Sequence, residues 1–101
     1  MNNQGFQQPR RSERRPHKME ITLLGKSGGM EFEEPAHTVD VSEHGLGVLT
    51  DAPVDASRRM SPGQIVYVYG VGNFRLGYCR VVWIRNEGPS FPSRAGLEFL
   101  N

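Results

Sequence analysis

The strongest constraint on this chain is a pair of β-forming runs joined by a short glycine-bearing turn. Residues 64–69 read Gln-Ile-Val-Tyr-Val-Tyr, residues 74–85 are long and rich in aromatic and β-branched types, and 70–73 lie between them. Such side chains fit a pleated, half-buried surface and lose rotamer freedom in a helix, so the two runs read as a hairpin. The rest of the chain is punctuated just as densely. Residues 19–24 alternate, with Ile21 and Leu23 inward, before a turn over 25–29. Residues 30–33 read as a short strand halted by Pro35, 36–42 and 46–51 as a strand pair, and 94–100 as a closing strand. The Pro- and Gly-bearing stretches 52–62 and 86–93 read as loops, the first with room for a helical turn. No segment carries the 3.6-residue apolar period of a convincing amphipathic helix. The expected class is all-β. Six or so short strands in one small chain are expected to close into an antiparallel barrel, because closure removes the sheet edges.

At 101 residues the chain has room for one domain with an economical core. Its single cysteine, Cys79, excludes a disulfide framework and a multi-cysteine metal site and fits a reducing compartment. Because it sits in an apolar strand, it reads as a packed small hydrophobe. No apolar leader precedes the first strand and no run is long enough to span a membrane, so a soluble cytoplasmic protein, monomeric and without membrane insertion, is expected.

Charge is divided along the chain. Residues 1–18 hold five basic residues against one acid, a net of +4, while the remainder holds seven against ten, a net of −3. A basic arm therefore precedes an acidic body, and such arms meet anions. Residues 1–9, mostly Asn, Gln, Gly and Pro, lack the apolar content to offset the entropy of ordering and are expected to be a disordered tail. Pro16 biases Arg15 toward extended backbone, so the arm should run straight into the first strand.

Two clusters carry chemistry. In the arm, Arg10, Arg11, Arg14 and Arg15 place arginines four apart in two registers, Arg10/Arg14 and Arg11/Arg15. Downstream, residues 37–49 alternate, with Val39 and Val41 on one side and Thr38, Asp40 and Ser42 on the other. The sequence Glu43-His44-Gly45 then breaks the pattern with a residue that tolerates positive φ. Asp40 and Ser42 beside bare glycine backbone form a small polar receptor, although the same residue types also serve as turn caps.

RxxxR followed by DxSxxG resembles the PilZ domain family, whose members bind the bacterial second messenger cyclic di-GMP. The resemblance rests on Arg10 and Arg14, or Arg11 and Arg15, for the first motif and on Asp40, Ser42 and Gly45 for the second. It extends to the closing segment, Arg80-Val81-Val82-Trp83-Ile84 and Ala95 to Leu100, and so covers residues 10–101 as one barrel domain with its arm (10–18). It implies a six-stranded antiparallel barrel, with the C-terminal helix of many relatives absent because the sequence stops at Asn101. It also implies a ligand site formed by Arg10, Arg11, Arg14, Arg15, Asp40, Ser42 and Gly45.

In that site an arginine fork suits phosphate or the guanine O6/N7 edge, and its plane can stack on a base. Asp40 can accept from guanine N1–H and N2–H, which adenine cannot reproduce. Ser42 would add a hydrogen bond to phosphate or base, and Gly45 would hold the corner. Ligand would order the mobile arm for a downstream protein partner to read. His17 and His44 lie beside the motifs but read as exposed side chains without metal-ligand spacing. Trp83, Tyr67, Tyr69 and Tyr78 read as core, with a base-stacking platform as the other possibility. No nucleophile–base pair is evident and no cofactor is implied, so an enzyme is not expected. Two alternatives stay open: a barrel serving protein partners without nucleotide, and a small-barrel binder of single-stranded nucleic acid, which the acidic body disfavours.

Overall fold

The computed structural model describes residues 14–52, 60–72, 75–86, 88 and 90–100. It forms seven strands: β1 (Arg15–Pro16), β2 (Glu20–Ser27), β3 (Met30–Val41), β4 (Gly45–Thr50), β5 (Ile65–Gly70), β6 (Arg75–Asn86) and β7 (Ser93–Phe99). All pairings are antiparallel, in the order β1-β3-β2-β5-β6-β7-β4, and an additional β3–β4 pairing closes the sheet. The result is a six-stranded barrel, β2 to β7, with β1 as a short annex on β3. The described residues contain no helix. The 53–59 stretch, where a helical turn was allowed for, lies outside them.

The interior follows the period-two pattern on most strands. Ile21 and Leu23 of β2, Val66 and Val68 of β5, Cys79 and Val81 of β6 and Leu46 and Val48 of β4 are all at most 4% exposed. Met60 plugs the core from the segment before β5. Two buried polar residues, Glu34 and Thr38, stand in the inward row of β3 beside Phe32 and Ala36.

Three local expectations are corrected. Pro35 does not halt a strand, since β3 runs through it to Val41. Its carbonyl accepts from Asp51 N–H at 2.9 Å, on the side where the β4 ladder has just ended at Ala36–Thr50. The N–H that proline lacks would face Asp51 O, so what is lost is one bond beyond the last ladder pair, where Asp51 is exposed. Likewise Gly25 is part of β2, and only Gly28 and Gly29, at φ 59° and 84°, make the turn.

The third correction concerns the tyrosines and Trp83, which are not core. Tyr78 and Trp83 are 59% and 42% exposed, and Tyr67 and Tyr69 are half-buried on the outside of β5, out of phase with inward Val66 and Val68. Tyr67 packs edge-on to Tyr78 with ring centroids 4.9 Å apart, on the barrel's outer surface.

Candidate functional site

Asp40 owes its position to a bulge. Thr38 opposes Val48 and Asp40 opposes Gly47, so Val39 is an extra residue on β3 with no counterpart on β4. Thr38 is buried inside the barrel, and strict alternation would send Asp40 inside as well. The bulge resets the phase, a usual way of re-aiming a side chain. Asp40 then turns outward with Gly47, while Val41 packs against the core. Thr38, expected on the outer row with Asp40, is therefore on the opposite face from it. Gly47 receives the carboxylate: a Cβ there would lie 2.7 Å from Asp40 Oδ1 and 3.0 Å from Oδ2. The motif DxSxxG does not include this glycine, yet its bare backbone lets Asp40 lie flat.

The arm lies along the β3 edge that β2 leaves open beyond Glu20–His37. Arg15 pairs with Val41 and Pro16 with Asp40, His17 N–H donates to Val39 O at 3.0 Å, and Thr38 N–H donates to Met19 O at 2.9 Å. The buried Thr38 hydroxyl fastens the strap further, accepting from Met19 N–H at 2.9 Å and donating to His17 O at 3.0 Å. His17 Nδ1 lies 3.0 Å from the same hydroxyl, so this histidine serves the strap. From Arg14 onward the arm is thus strapped to β3, where the sequence suggested a mobile element. Arg10 and Arg11 lie outside the described residues, as do residues 1–9.

Strapping the arm to β3 brings the two motifs into contact. Arg14 Nη1 reaches Asp40 Oδ1 at 2.6 Å, with side chains 45% and 33% exposed. Arg15 faces the other way along the strap and lines, with Val41, Ser42 and Glu43, a cavity of about 450 Å³ at the β3–β4 turn. That volume falls within the range of small-molecule sites.

Ser42 and Gly45 build the turn. The Ser42 hydroxyl accepts from His44 N–H and Gly45 N–H, each at 3.2 Å, and Ser42 N–H donates to Gly45 O at 2.9 Å. The hydroxyl oxygen is therefore occupied as a double acceptor, and among the described residues its proton has no acceptor. Gly45 is not among the glycines with positive φ. It is required for a different reason: a Cβ there would lie 2.0 Å from Leu97 O, a backbone atom of β7. The close approach is to a neighbouring strand.

Cys79 is fully buried, and burial pushes its thiol up to about 11. No described helix is long and apolar enough to cross a membrane. A family model for the PilZ domain matches residues 8–101. No curated protein matches the chain.

Proposed function

The chain belongs to the PilZ domain family, known for binding cyclic di-GMP, and from that premise we propose that it is a cyclic di-GMP receptor whose arm and β3–β4 turn close on the nucleotide. The observation that supports this is the Arg14–Asp40 contact. Two residues 26 apart in sequence, one from each motif, meet through a single pair of atoms on the outer surface. An exposed ion pair contributes only about 0.2–1 kcal/mol, so a ligand bearing phosphate and a guanine edge can exchange for it at little expense. Arg14 then moves to a phosphate oxygen, and Asp40 accepts from guanine N1–H and N2–H. Arg15 lines the Ser42 side, where the Ser42 proton donates, and Arg10 and Arg11 are the partners of Arg14 and Arg15 by sequence spacing alone. Gly45 keeps the turn against β7. The functional unit is the barrel with its arm, residues 10–101, acting in the cytoplasm as a monomer.

This reading makes the protein a receptor and not a catalyst. Its one thiol is sealed in the core with a raised pKa, the reverse of an activated nucleophile. A nucleic-acid role would need a basic groove, and the body outside the arm carries a net −3.

A second reading, a barrel that serves a protein partner, has one observation in its favour. The outer face of β2, β5 and β6 carries an apolar groove of about 690 Å³ lined by Leu24, Ile65, Tyr67 and Tyr78. Calorimetric titration of the purified chain with cyclic di-GMP separates the two. Saturable heat is expected, with weaker binding by Asp40→Asn and poor competition from cyclic di-AMP. No heat at any concentration would leave the partner-binding reading standing alone.

A further inference from the structure

We infer that the outer wall of β2, β5 and β6 docks an extended, proline-rich segment of a partner protein, one that brings an acidic side chain to Arg75. The inference is independent of the nucleotide reading, since none of its residues belongs to either motif. Its first support is the shape of the surface. Two cavities, of about 690 and 300 Å³, share Leu24, Tyr67 and Arg75. Ile65 and Tyr78 line the larger and Tyr69 the smaller, so the Tyr67 ring is a ridge between two pits. Ring centroids of Tyr67 and Tyr78 lie 4.9 Å apart, edge to face, and those of Tyr67 and Tyr69 lie 6.4 Å apart at a tilt, contacts that brace all three rings.

Hydrogen bonding limits the occupant. Each strand of this wall has a neighbour on both sides, β2 with β3 and β5, β5 with β2 and β6, and β6 with β5 and β7, so the wall does not invite an added strand. The donors it does offer are the hydroxyls of Tyr67, Tyr69 and Tyr78, none of which makes a hydrogen bond among the described residues. A polyproline II segment has no internal hydrogen bonds and leaves its carbonyls exposed. Those carbonyls can accept from the tyrosine hydroxyls while proline rings enter the two pits, the mode in which aromatic grooves take proline-rich peptides. An amphipathic helix has its carbonyls already bonded internally, so it would use none of the hydroxyls, and it would need one trough in place of two pits.

Charge sets the second requirement. Val68 opposes Gly77 and Tyr69 opposes Arg75, so Leu76 is an extra residue on β6. Beside Gly77, at φ 93°, this bulge packs Leu76 against the core and turns Arg75 outward with Tyr69, where strict alternation from outward Tyr78 would send it in. Other basic residues of the wall have acids to match them. Arg80 lies 3.4 Å from Glu98, and Lys26 opposes Glu31 across β2 and β3. The cross-strand row of Arg75 continues through Tyr69, Thr22 and Pro35 and contains no acid, and Arg75 makes no ion pair among the described residues. An exposed guanidinium common to both pits suits a carboxylate carried between two prolines.

The test titrates the full chain into a fluorescein-labelled peptide of about nine residues repeating Pro-Pro-Glu, with a Pro-Pro-Lys repeat as the charge control on the same backbone, and reads fluorescence polarisation. Saturable binding of the glutamate peptide, about tenfold or more tighter than that of the lysine peptide, is expected. Tyr67→Ala and Arg75→Ala should each weaken it about tenfold, and Arg75→Glu, an exposed change that leaves the barrel folded, should reverse the preference toward the lysine peptide. Absence of binding by the glutamate peptide at millimolar concentration, equal binding of the two peptides, or binding indifferent to Tyr67 and Arg75 would each overturn the inference. So would a concentration-dependent dimer in sedimentation that Tyr67→Ala dissolves, since the wall would then belong to a second copy of the chain.

Discussion

The outer walls of this barrel are made in opposite ways. On the β3–β4–β7 side the outward positions include Gly45, Gly47 and Gly96, and the side chains there lie flat over bare backbone. On the β2–β5–β6 side the outward positions carry Ile65, Tyr67, Tyr69 and Tyr78, which stand up and pack on one another. Strand pairing is antiparallel throughout, so the backbone does not distinguish the two. What differs is the volume of alternate side chains. A wall reduced to glycine lets the Asp40 carboxylate and the Trp83 indole lie over its backbone. A wall filled with tyrosine offers amphipathic rings, suited to a protein surface.

The glycines of the first wall give the sharpest way to test that contrast. Gly45→Ala places a methyl against Leu97 O, a backbone atom that cannot step aside, and is expected to destabilise the fold by about 3–5 kcal/mol in urea denaturation. Gly47→Ala meets only the flexible end of Asp40 and should fold with near-normal stability while losing nucleotide affinity. Equal destabilisation by both would mean that Gly47 serves strand contact and not the seating of Asp40.

The core beneath the second wall should reveal itself at alkaline pH. The folded Cys79 thiol is raised from 9.0 to about 11, so between those values the unfolded chain holds fewer protons than the folded one. Stability contributed by the neutral thiol is complete below pH 9 and declines as pH rises toward 11, by up to about 3 kcal/mol. Denaturation midpoints of wild type and Cys79→Ala across that window measure it. The variant's alkaline decline should be the shallower, and parallel declines would contradict a buried thiol.

Next in size is the arm. Arg14→Ala is expected to weaken cyclic di-GMP binding about tenfold to a hundredfold, the loss of one charge-assisted contact. Arg75→Ala, on the tyrosine wall, should leave affinity within about twofold by the same arithmetic. Similar losses in both would show that bulk charge, not a built site, attracts the nucleotide. Hydrogen exchange maps the same contrast: nucleotide should slow amides of residues 14–17 and 40–47 and leave β5 and β6 up to Val81 unchanged.

The smallest effect belongs to the tyrosine wall itself. A double-mutant cycle on Tyr67 and Tyr78 should return about 1 kcal/mol of coupling for their edge-to-face contact. Neither single substitution should alter nucleotide affinity. A partner that binds this groove would lose affinity with both.

The amino-acid sequence alone determined the strand content, the β5–β6 hairpin, the inward parity of Ile21 and Leu23 and the order of the two motifs, because these depend on local periodicity and turn chemistry. Contacts between strands decided the rest. Whether Asp40 and Trp83 face in or out hangs on one extra residue, Val39 or Val82, which shows itself only against the register of the facing strand. Alternation read along the chain accordingly placed Thr38 outside and Trp83 inside, and both are reversed. Gly45 looked like a residue kept for positive φ, and it is kept for the proximity of Leu97, a neighbour that only barrel closure supplies. Pro35 looked like a strand breaker until the end of the β4 ladder showed that its missing N–H forgoes only a terminal bond, opposite exposed Asp51. Arginine spacing suggested a pair of equivalent registers. The strap on β3 gives Arg14 and Arg15 different surroundings, because pairing Arg15 with Val41 and Pro16 with Asp40 is what carries Arg14 to the Asp40 carboxylate. Bulges, close backbone approaches and ladder ends are properties of two strands at once, and a single strand's sequence records only its own half.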